Sequence, residues 1–193
     1  MNFLAHLYLS GDNEEVKFGN FIGDWIKGNK FNNYNGGIRK GILLHREIDS
    51  YTDHHPTVHE SILKLRPAYG KHAGIAVDIL YDHFLSLHWK QYSTIELEDY
   101  VNNFHDYVMN NLDLLPKKAR RFAFPFIRNK RLMCYADLKC FEEVLEKMAI
   151  YTSMPDKAKD AMLLIEKDYD ALGNEFESFF IDLREFVERL KFN

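Results

Sequence analysis

Apolar residues recur at three- and four-residue steps along almost the whole chain, and the two-residue alternation of a half-buried strand is nearly absent. That period predicts an all-α protein. The first helix covers residues 2–9. Asp12 or Asn13 caps a second helix over 14–27, opened by Glu14 and Glu15 and closed by Gly28. A polar loop over 30–37 (KFNNYNGG) precedes a helix over 38–54. Pro56 opens the next, which ends near 67–70. A fifth helix spans 73–91. Ser93-Thr94-Ile95-Glu96 reads as a capping box that starts a helix ending near Asn111. Helices over 116–129, interrupted at Pro125, and over 137–151 follow. After Met154-Pro155 an amphipathic stretch runs to the C-terminus with Met162, Ile165, Tyr169, Leu172, Phe176, Phe179, Phe180, Leu183, Phe186 and Leu190 on one stripe, which must dock on something. With no repeat, low-complexity stretch or linker, residues 1–193 read as a single multi-helix domain.

Composition narrows the class. The 193 residues are 46% hydrophobic and 28% charged, ordinary for a globular domain. Aromatic content of 15% predicts large side chains in the core or along a groove. A net charge of -4 lacks the excess of a nucleic-acid-binding chain. Cys134 and Cys140 form neither a zinc motif nor a disulfide framework, so reduced thiols and a cytoplasmic location are expected. Met1 to Ser10 has no basic leader segment, and no apolar run is long enough to span a membrane.

The chemistry sits where acids and histidines interrupt apolar helices. His45, Asp49 and Asp53 are four residues apart, so neighbours in the series share a face, and one cation can reach both His45 and Asp49. Asp78 and Asp82 repeat that spacing, with His83 about 100° further round. The helix carrying them is apolar on nearly every side, as a buried helix is. Asp24 stands among Phe21, Ile22, Trp25 and Ile26, and His6 among Phe3, Leu4, Leu7 and Tyr8. Buried carboxylates require a partner. A metal ion supplies one, a structural polar network another, and for the His45 helix a solvated face is the plain alternative. Mixed imidazole and carboxylate ligands favour Mn2+, Fe2+ or Mg2+ over structural zinc. There is no HExxH, GxSxG or P-loop.

MNFLAHLYLS, GNFIGDWIKG, GILLHREIDSYTDHHPTVHES and DILYDHFLSLHW together resemble the acyl carrier protein phosphodiesterases, an unorthodox branch of the HD-domain phosphohydrolases. The resemblance is dense over the first half of the chain and looser beyond. It implies an HD-domain-like all-α fold and a divalent metal, Mn2+ first and Mg2+ or Fe2+ after it. It implies hydrolysis of the phosphodiester joining 4′-phosphopantetheine to a serine of holo acyl carrier protein. HD enzymes use an adjacent His-Asp pair; here His45 and Asp49 are four apart, and the pair at 82 and 83 is reversed. The resemblance therefore carries over Asp24, His45, Asp49 and Asp82 as metal ligands, with His6 next. Asp53, Asp78 and His83 become further ligands or groups that orient them, and Asp24, Asp53 and His83 are the candidates for proton transfer.

Arg46, beside His45, is positioned to hold a phosphoryl oxygen or to form a surface ion pair. Between Asp113 and Asp137 there is no acid but seven bases, among them Lys117, Lys118, Arg120, Arg121 and Arg128, interleaved with Phe122, Phe124 and Phe126. Acyl carrier proteins are acidic, and such a segment attracts one; a solvated helix face and a nucleic-acid surface are the other readings. The competing functions are an HD-like hydrolase of nucleotides or small phosphate esters, and a non-catalytic helical protein that binds an acidic partner.

Overall fold

The computed structural model describes residues 2–34 and 36–191; Met1, Asn35 of the predicted polar loop and the last two positions of the C-terminal stretch lie outside the described residues. In chain order it contains α1 (Phe3–Leu9), α2 (Glu14–Phe21), α3 (Gly36–His54), α4 (Pro56–Tyr69), α5 (Ala73–Leu87), α6 (Trp89–Tyr92), α7 (Leu97–Asn110), α8 (Lys117–Arg128), α9 (Arg131–Cys134), α10 (Leu138–Tyr151) and α11 (Ala158–Lys191). Short 3-10 turns occur at Gly23–Trp25, Gly28–Asn33, Gly70–His72 and Leu112–Leu114. The all-α expectation holds among the described residues, and none of their helices is long and apolar enough to cross a membrane.

The chain groups into two compact units. One comprises Asn2, Ser50–Leu87 and the chain from Tyr135 onward; the other comprises Phe3–Asp49 and His88–Cys134. In the first, α4, α5, α10 and α11 pack on one another. Ile165, Leu172, Phe176, Phe179, Phe180 and Leu183 of α11 are buried and Met162, Tyr169, Phe186 and Leu190 are half-buried, so the C-terminal stripe docks along its centre and is partly open at its edges. Phe176 stacks on Phe84 and meets Tyr81 edge-on. Ser61 Oγ donates to Glu175 (2.6 Å) and lies 2.8 Å from the Tyr81 hydroxyl, while Lys64 pairs with the same Glu175. This network ties α4, α5 and α11 together without leaving a buried carboxylate alone.

In the second unit α2 packs on α1 and α7. Contact between α2 and α3 depends on two glycines. A Cβ on Gly19 would lie 2.0 Å from the Ile38 carbonyl oxygen, and one on Gly41 would lie 2.1 Å from the Val16 carbonyl oxygen. Neither position has room for any side chain. An aromatic cluster of Phe3, Phe21, Trp25, Phe122 and Phe126, with ring centres 5.0–6.4 Å apart, joins α1, α2, the Gly23–Trp25 turn and α8.

Several expected boundaries shift for local reasons. The helix expected over 14–27 is capped by Asn13, whose Oδ1 accepts from the Val16 N–H (3.2 Å), but ends at Phe21. The expected 30–37 loop is partly the Gly28–Asn33 turn, and α3 starts at Gly36. The fifth helix stops at Leu87, with His88 outside helical geometry (φ -100°, ψ 18°). The capping box does not form: Ser93 Oγ accepts from Ile95 N–H (3.1 Å), a local turn, and α7 begins only at Leu97. Pro125 does not interrupt α8. Pro125 and Arg121 are both exposed, so the carbonyl left without an N–H partner is on the solvent side. The C-terminal helix is kinked at Asp168. The expectation of reduced thiols also fails, since neither cysteine is free; it rested on compartment rather than on geometry.

The glycine contacts give a stability test. Gly41→Ala should lower unfolding free energy by about 2–3 kcal/mol in urea titrations, because a backbone oxygen has no rotamer with which to yield. A loss below about 0.5 kcal/mol, the range of a neutral surface change, would show that α2 and α3 can separate freely.

Candidate metal centre

The second unit gathers four of the predicted residues. His6 comes from the last turn of α1, His45 and Asp49 from successive turns of α3, and Asp24 from the Gly23–Trp25 turn. Asp49 stands at the centre. Its Oδ1 lies 3.2 Å from His6 Nε2 and its Oδ2 lies 3.1 Å from His45 Nε2. Asp24 Oδ1 is 3.6 Å from the same His45 nitrogen. The two imidazoles stack with ring centres 4.3 Å apart and planes at 28°. Both histidine side chains are buried, whereas Asp49 and Asp24 are 39% and 57% exposed. The cluster is thus a buried imidazole pair behind an open carboxylate rim. Asp24 was expected inside an apolar turn; instead Phe21 and Ile22 are buried and Asp24 faces out, because α2 ends before it.

Gly23 explains both the early end of α2 and the placement of His45. A Cβ there would sit 2.2 Å from His45 Cγ, so the imidazole lies directly against the backbone. Two polar residues that the sequence reading did not single out hold α1 in place. Asn20 Nδ2 donates to the His6 carbonyl (2.9 Å) and to Ser10 Oγ (2.9 Å), and Ser10 Oγ donates to that same carbonyl (2.8 Å). A fully buried asparagine amid Phe18, Phe21 and Ile22 was the available signal.

Asp82 is fully buried on α5, in the first unit, and Asp78 is half-buried on the same helix. His83, also in the first unit, has Nδ1 2.7 Å from the Tyr135 carbonyl and Nε2 2.7 Å from the Tyr169 hydroxyl. With both ring nitrogens occupied, His83 has the bonding of a structural histidine. Asp53 is exposed, and its carbonyl takes a hydrogen bond from His59 Nε2 (2.8 Å). Arg46 donates from Nη2 to the Ile26 and Gly28 carbonyls (2.9 and 2.6 Å) and stacks over Phe31. It fixes the segment following Asp24 rather than making a surface ion pair. Lys117, Lys118, Arg120, Arg121 and Arg128 are all exposed on α8.

The electrostatics of the cluster are set by burial and by Asp49. Burial holds the His6 imidazole down at about 4, with the charge on His45 adding to burial and the hydrogen bond to Asp49 opposing it. Burial also disfavours charge on His45, but hydrogen bonds to Asp24 and Asp49 outweigh it and raise that group to about 9. For Asp49, burial pushes upward and the two imidazole hydrogen bonds prevail, so its carboxyl lies well below the ordinary range. The hydrogen bond from His45 likewise lowers Asp24. At neutral pH the metal-free cluster therefore contains neutral His6, cationic His45 and two carboxylates.

The residues fit a divalent cation. His6, His45 and Asp49 each offer a ligand atom, all within 4.8 Å of one another. Neighbouring ligands on an octahedral ion with bonds of about 2.1 Å lie about 3 Å apart, close to the separation of each Nε2 from its Asp49 oxygen. Asp24 extends this set on the open side.

The contribution of these two histidines to the stability of the metal-free protein should be greatest close to pH 6.5. Above the ordinary value of 6.5 the unfolded chain releases a proton that folded His45 keeps until about 9, so stability falls as pH rises through that window. Below 6.5 the unfolded chain binds a proton that folded His6 refuses until about 4, so stability falls as pH drops through that window. Urea titrations of chelator-treated protein should show His45→Asn flattening the alkaline limb and His6→Asn flattening the acidic one. Limbs unchanged in these variants would remove the two histidines from the linkage.

The chain matches the model of the family "Acyl carrier protein phosphodiesterase" over residues 1–183. It is 34% identical to the acyl carrier protein phosphodiesterase of Enterobacter sp. (strain 638) over 184 residues, covering 93% of this chain and 94% of that one. It is 33% identical over 181 residues to those of Salmonella agona (strain SL483) and Escherichia coli O139:H28 (strain E24377A / ETEC), with the same coverage. No solved structure matches it. The similarity takes in α1, the Gly23–Trp25 turn and α3, which carry the His6, Asp24, His45 and Asp49 cluster, and it reaches into α11; the chain belongs to the acyl carrier protein phosphodiesterase family.

Proposed function

We propose that this protein hydrolyses the phosphodiester between 4′-phosphopantetheine and the serine of holo acyl carrier protein, releasing apo acyl carrier protein, and that the reaction requires a divalent cation. The observation that carries the metal requirement is the convergence of His6 Nε2 and His45 Nε2 on the two oxygens of Asp49. Two imidazoles and a carboxylate suit Mn2+ or Fe2+ better than Mg2+, which prefers oxygen ligands. A bound cation supplies positive charge to a phosphoryl oxygen and acidifies a water molecule for attack on phosphorus.

The chain's own groups have separable tasks. His6, His45 and Asp49 would hold the ion. His6 is already neutral, whereas His45 must give up its proton, so metal uptake is linked to proton release. Asp24, ionised and exposed beside His45, would take a proton from the attacking water or bind the ion from the open side. Arg46 contributes by holding the backbone that follows Asp24. An HD-domain-like fold is part of the same reading, supported by the all-α architecture and the histidine–aspartate cluster.

Incubation of the protein with holo acyl carrier protein and Mn2+ should yield the apo form by intact-mass spectrometry. Asp49→Asn and Asp24→Asn should each cut turnover by at least about 10²-fold, the scale of a lost metal or proton-transfer group, while retaining the helical circular dichroism signal. Full activity in chelated protein would remove the metal, and near-normal activity of Asp24→Asn would remove that residue.

Calorimetric titration of Mn2+ at pH 8 in buffers of different ionisation enthalpy should report release of about one proton per ion, from His45. The release should vanish in His45→Asn. A proton count near zero in the unmodified protein would show that the ion binds without His45.

A further inference from the structure

We infer that the exposed face of α8 is the docking surface for the acidic carrier protein, with Phe124 as its apolar anchor and Lys117, Arg121 and Arg128 as its cationic frame. The inference rests on the reading that the substrate is an acyl carrier protein, and it names the surface that receives it.

The register of α8 separates two faces. Ala119, Ala123 and Phe126 are buried, and Phe122 is half-buried. Lys117, Arg121, Phe124 and Arg128 follow at steps of four, three and four, which places them on one stripe about 16 Å long. Phe124 is two residues from both Phe122 and Phe126 and therefore points away from them. It is 47% exposed, a large ring on a face otherwise made of cations. A solvated basic helix face has no use for such a ring, whereas an interface combines one apolar anchor with a charged surround.

The cations on this face are not neutralised locally. No acid occurs between Asp113 and Asp137. Among the described ion pairs, only the contact of Lys130 with Glu98, at 3.5 Å, involves this segment. The imbalance extends to the whole unit. Residues 3–49 and 88–134 carry 14 Lys and Arg against 11 Asp and Glu, a net charge of +3. The rest of the chain carries 11 against 18, a net charge of -7. An acidic partner is thus drawn to the unit that bears the metal-centre residues and repelled by the other.

The inner face of α8 fixes where that partner arrives. Phe122 packs on Phe3 and Trp25 with ring centres 5.2 Å away in each case, and Phe126 packs on Phe3 at 5.0 Å. Phe3 is one turn before His6 on α1, and Trp25 follows Asp24. The helix that presents the cations is therefore clamped to the two elements that supply His6 and Asp24. Carboxylates bound around Phe124 would orient the carrier protein beside the metal centre.

The test is binding of apo acyl carrier protein, which lacks the scissile bond, by fluorescence anisotropy. Arg121→Glu/Arg128→Glu should weaken binding at least about tenfold and flatten its salt dependence. Phe124→Ser should weaken it several-fold with the salt dependence unchanged. Lys139→Glu/Lys167→Glu, an equal charge change at exposed positions of the other unit, should leave it within about twofold. With holo carrier protein, KM should rise in the α8 variants while kcat holds. Equal binding by unmodified and α8-reversed protein would overturn the inference, as would equal weakening by the control pair. Preference for a single-stranded RNA over the carrier protein would overturn it as well. Charge-dependent binding without conversion of holo to apo carrier protein would leave the docking surface standing and defeat the proposed reaction. Conversion with binding indifferent to α8 would do the reverse.

Discussion

The carboxylate of Asp49, shared between His6 and His45, is the contact around which the second unit is arranged. Each of its oxygens faces one imidazole nitrogen, so a histidine that turned away would leave one carboxylate oxygen without its imidazole. Burial alone would neutralise both rings. Asp49 and Asp24 prevent this for His45, which retains its proton. That proton keeps His45 attractive to both Asp49 and Asp24, so the three side chains hold one another in place.

Such a cluster needs close backbone approach, which glycine supplies. Gly19 and Gly41 let α2 and α3 touch backbone to backbone, and Gly23 lets His45 lie flat on the turn that carries Asp24. The three positions act in series: the first two set the distance of α3 from α2, and the third sets how far the His45 ring can settle. A continuous helix over 14–27 would have satisfied local propensity better. It is broken because tertiary contact at Gly23 outweighs the few tenths of a kcal/mol per residue that propensity contributes.

The helices were legible from the sequence because a 3.6-residue apolar period survives everywhere except at ends. Those ends failed where a side chain had two uses: Ser93 caps a turn instead of a helix. His45 and Asp49 were legible as a pair since four residues on a helix guarantee proximity. Their meeting with His6 and Asp24 depends on how α1 and the Gly23–Trp25 turn pack on α3, which no spacing encodes. The exposure of Asp24 was illegible for the same reason, its apolar neighbours being buried around a carboxylate that points outward. His83 and His6 look alike in sequence, each a histidine in an apolar helix. What distinguishes them is bonding: both His83 nitrogens meet neutral oxygens of Tyr135 and Tyr169, whereas His6 Nε2 meets a carboxylate. Apolar context marks a histidine as buried and leaves open what its lone pair is for.

The openness of the centre bears on the size of its substrate. A site for a small ester surrounds it, because a small ligand needs most of its surface covered to gain affinity. Here Asp49 is 39% and Asp24 57% exposed, so both carboxylates are open to solvent. A protein substrate brings its own cover and can gain its affinity remotely, through contacts that do not change during the reaction. Charge is suited to that division, since it orients a partner over about a Debye length of 8 Å or more before any close contact forms. On the proposed reading, a basic face on α8, clamped through Phe122 and Phe126 to the elements bearing His6 and Asp24, would let recognition be strong where chemistry is absent. It would leave the carboxylate rim free for the reacting phosphate.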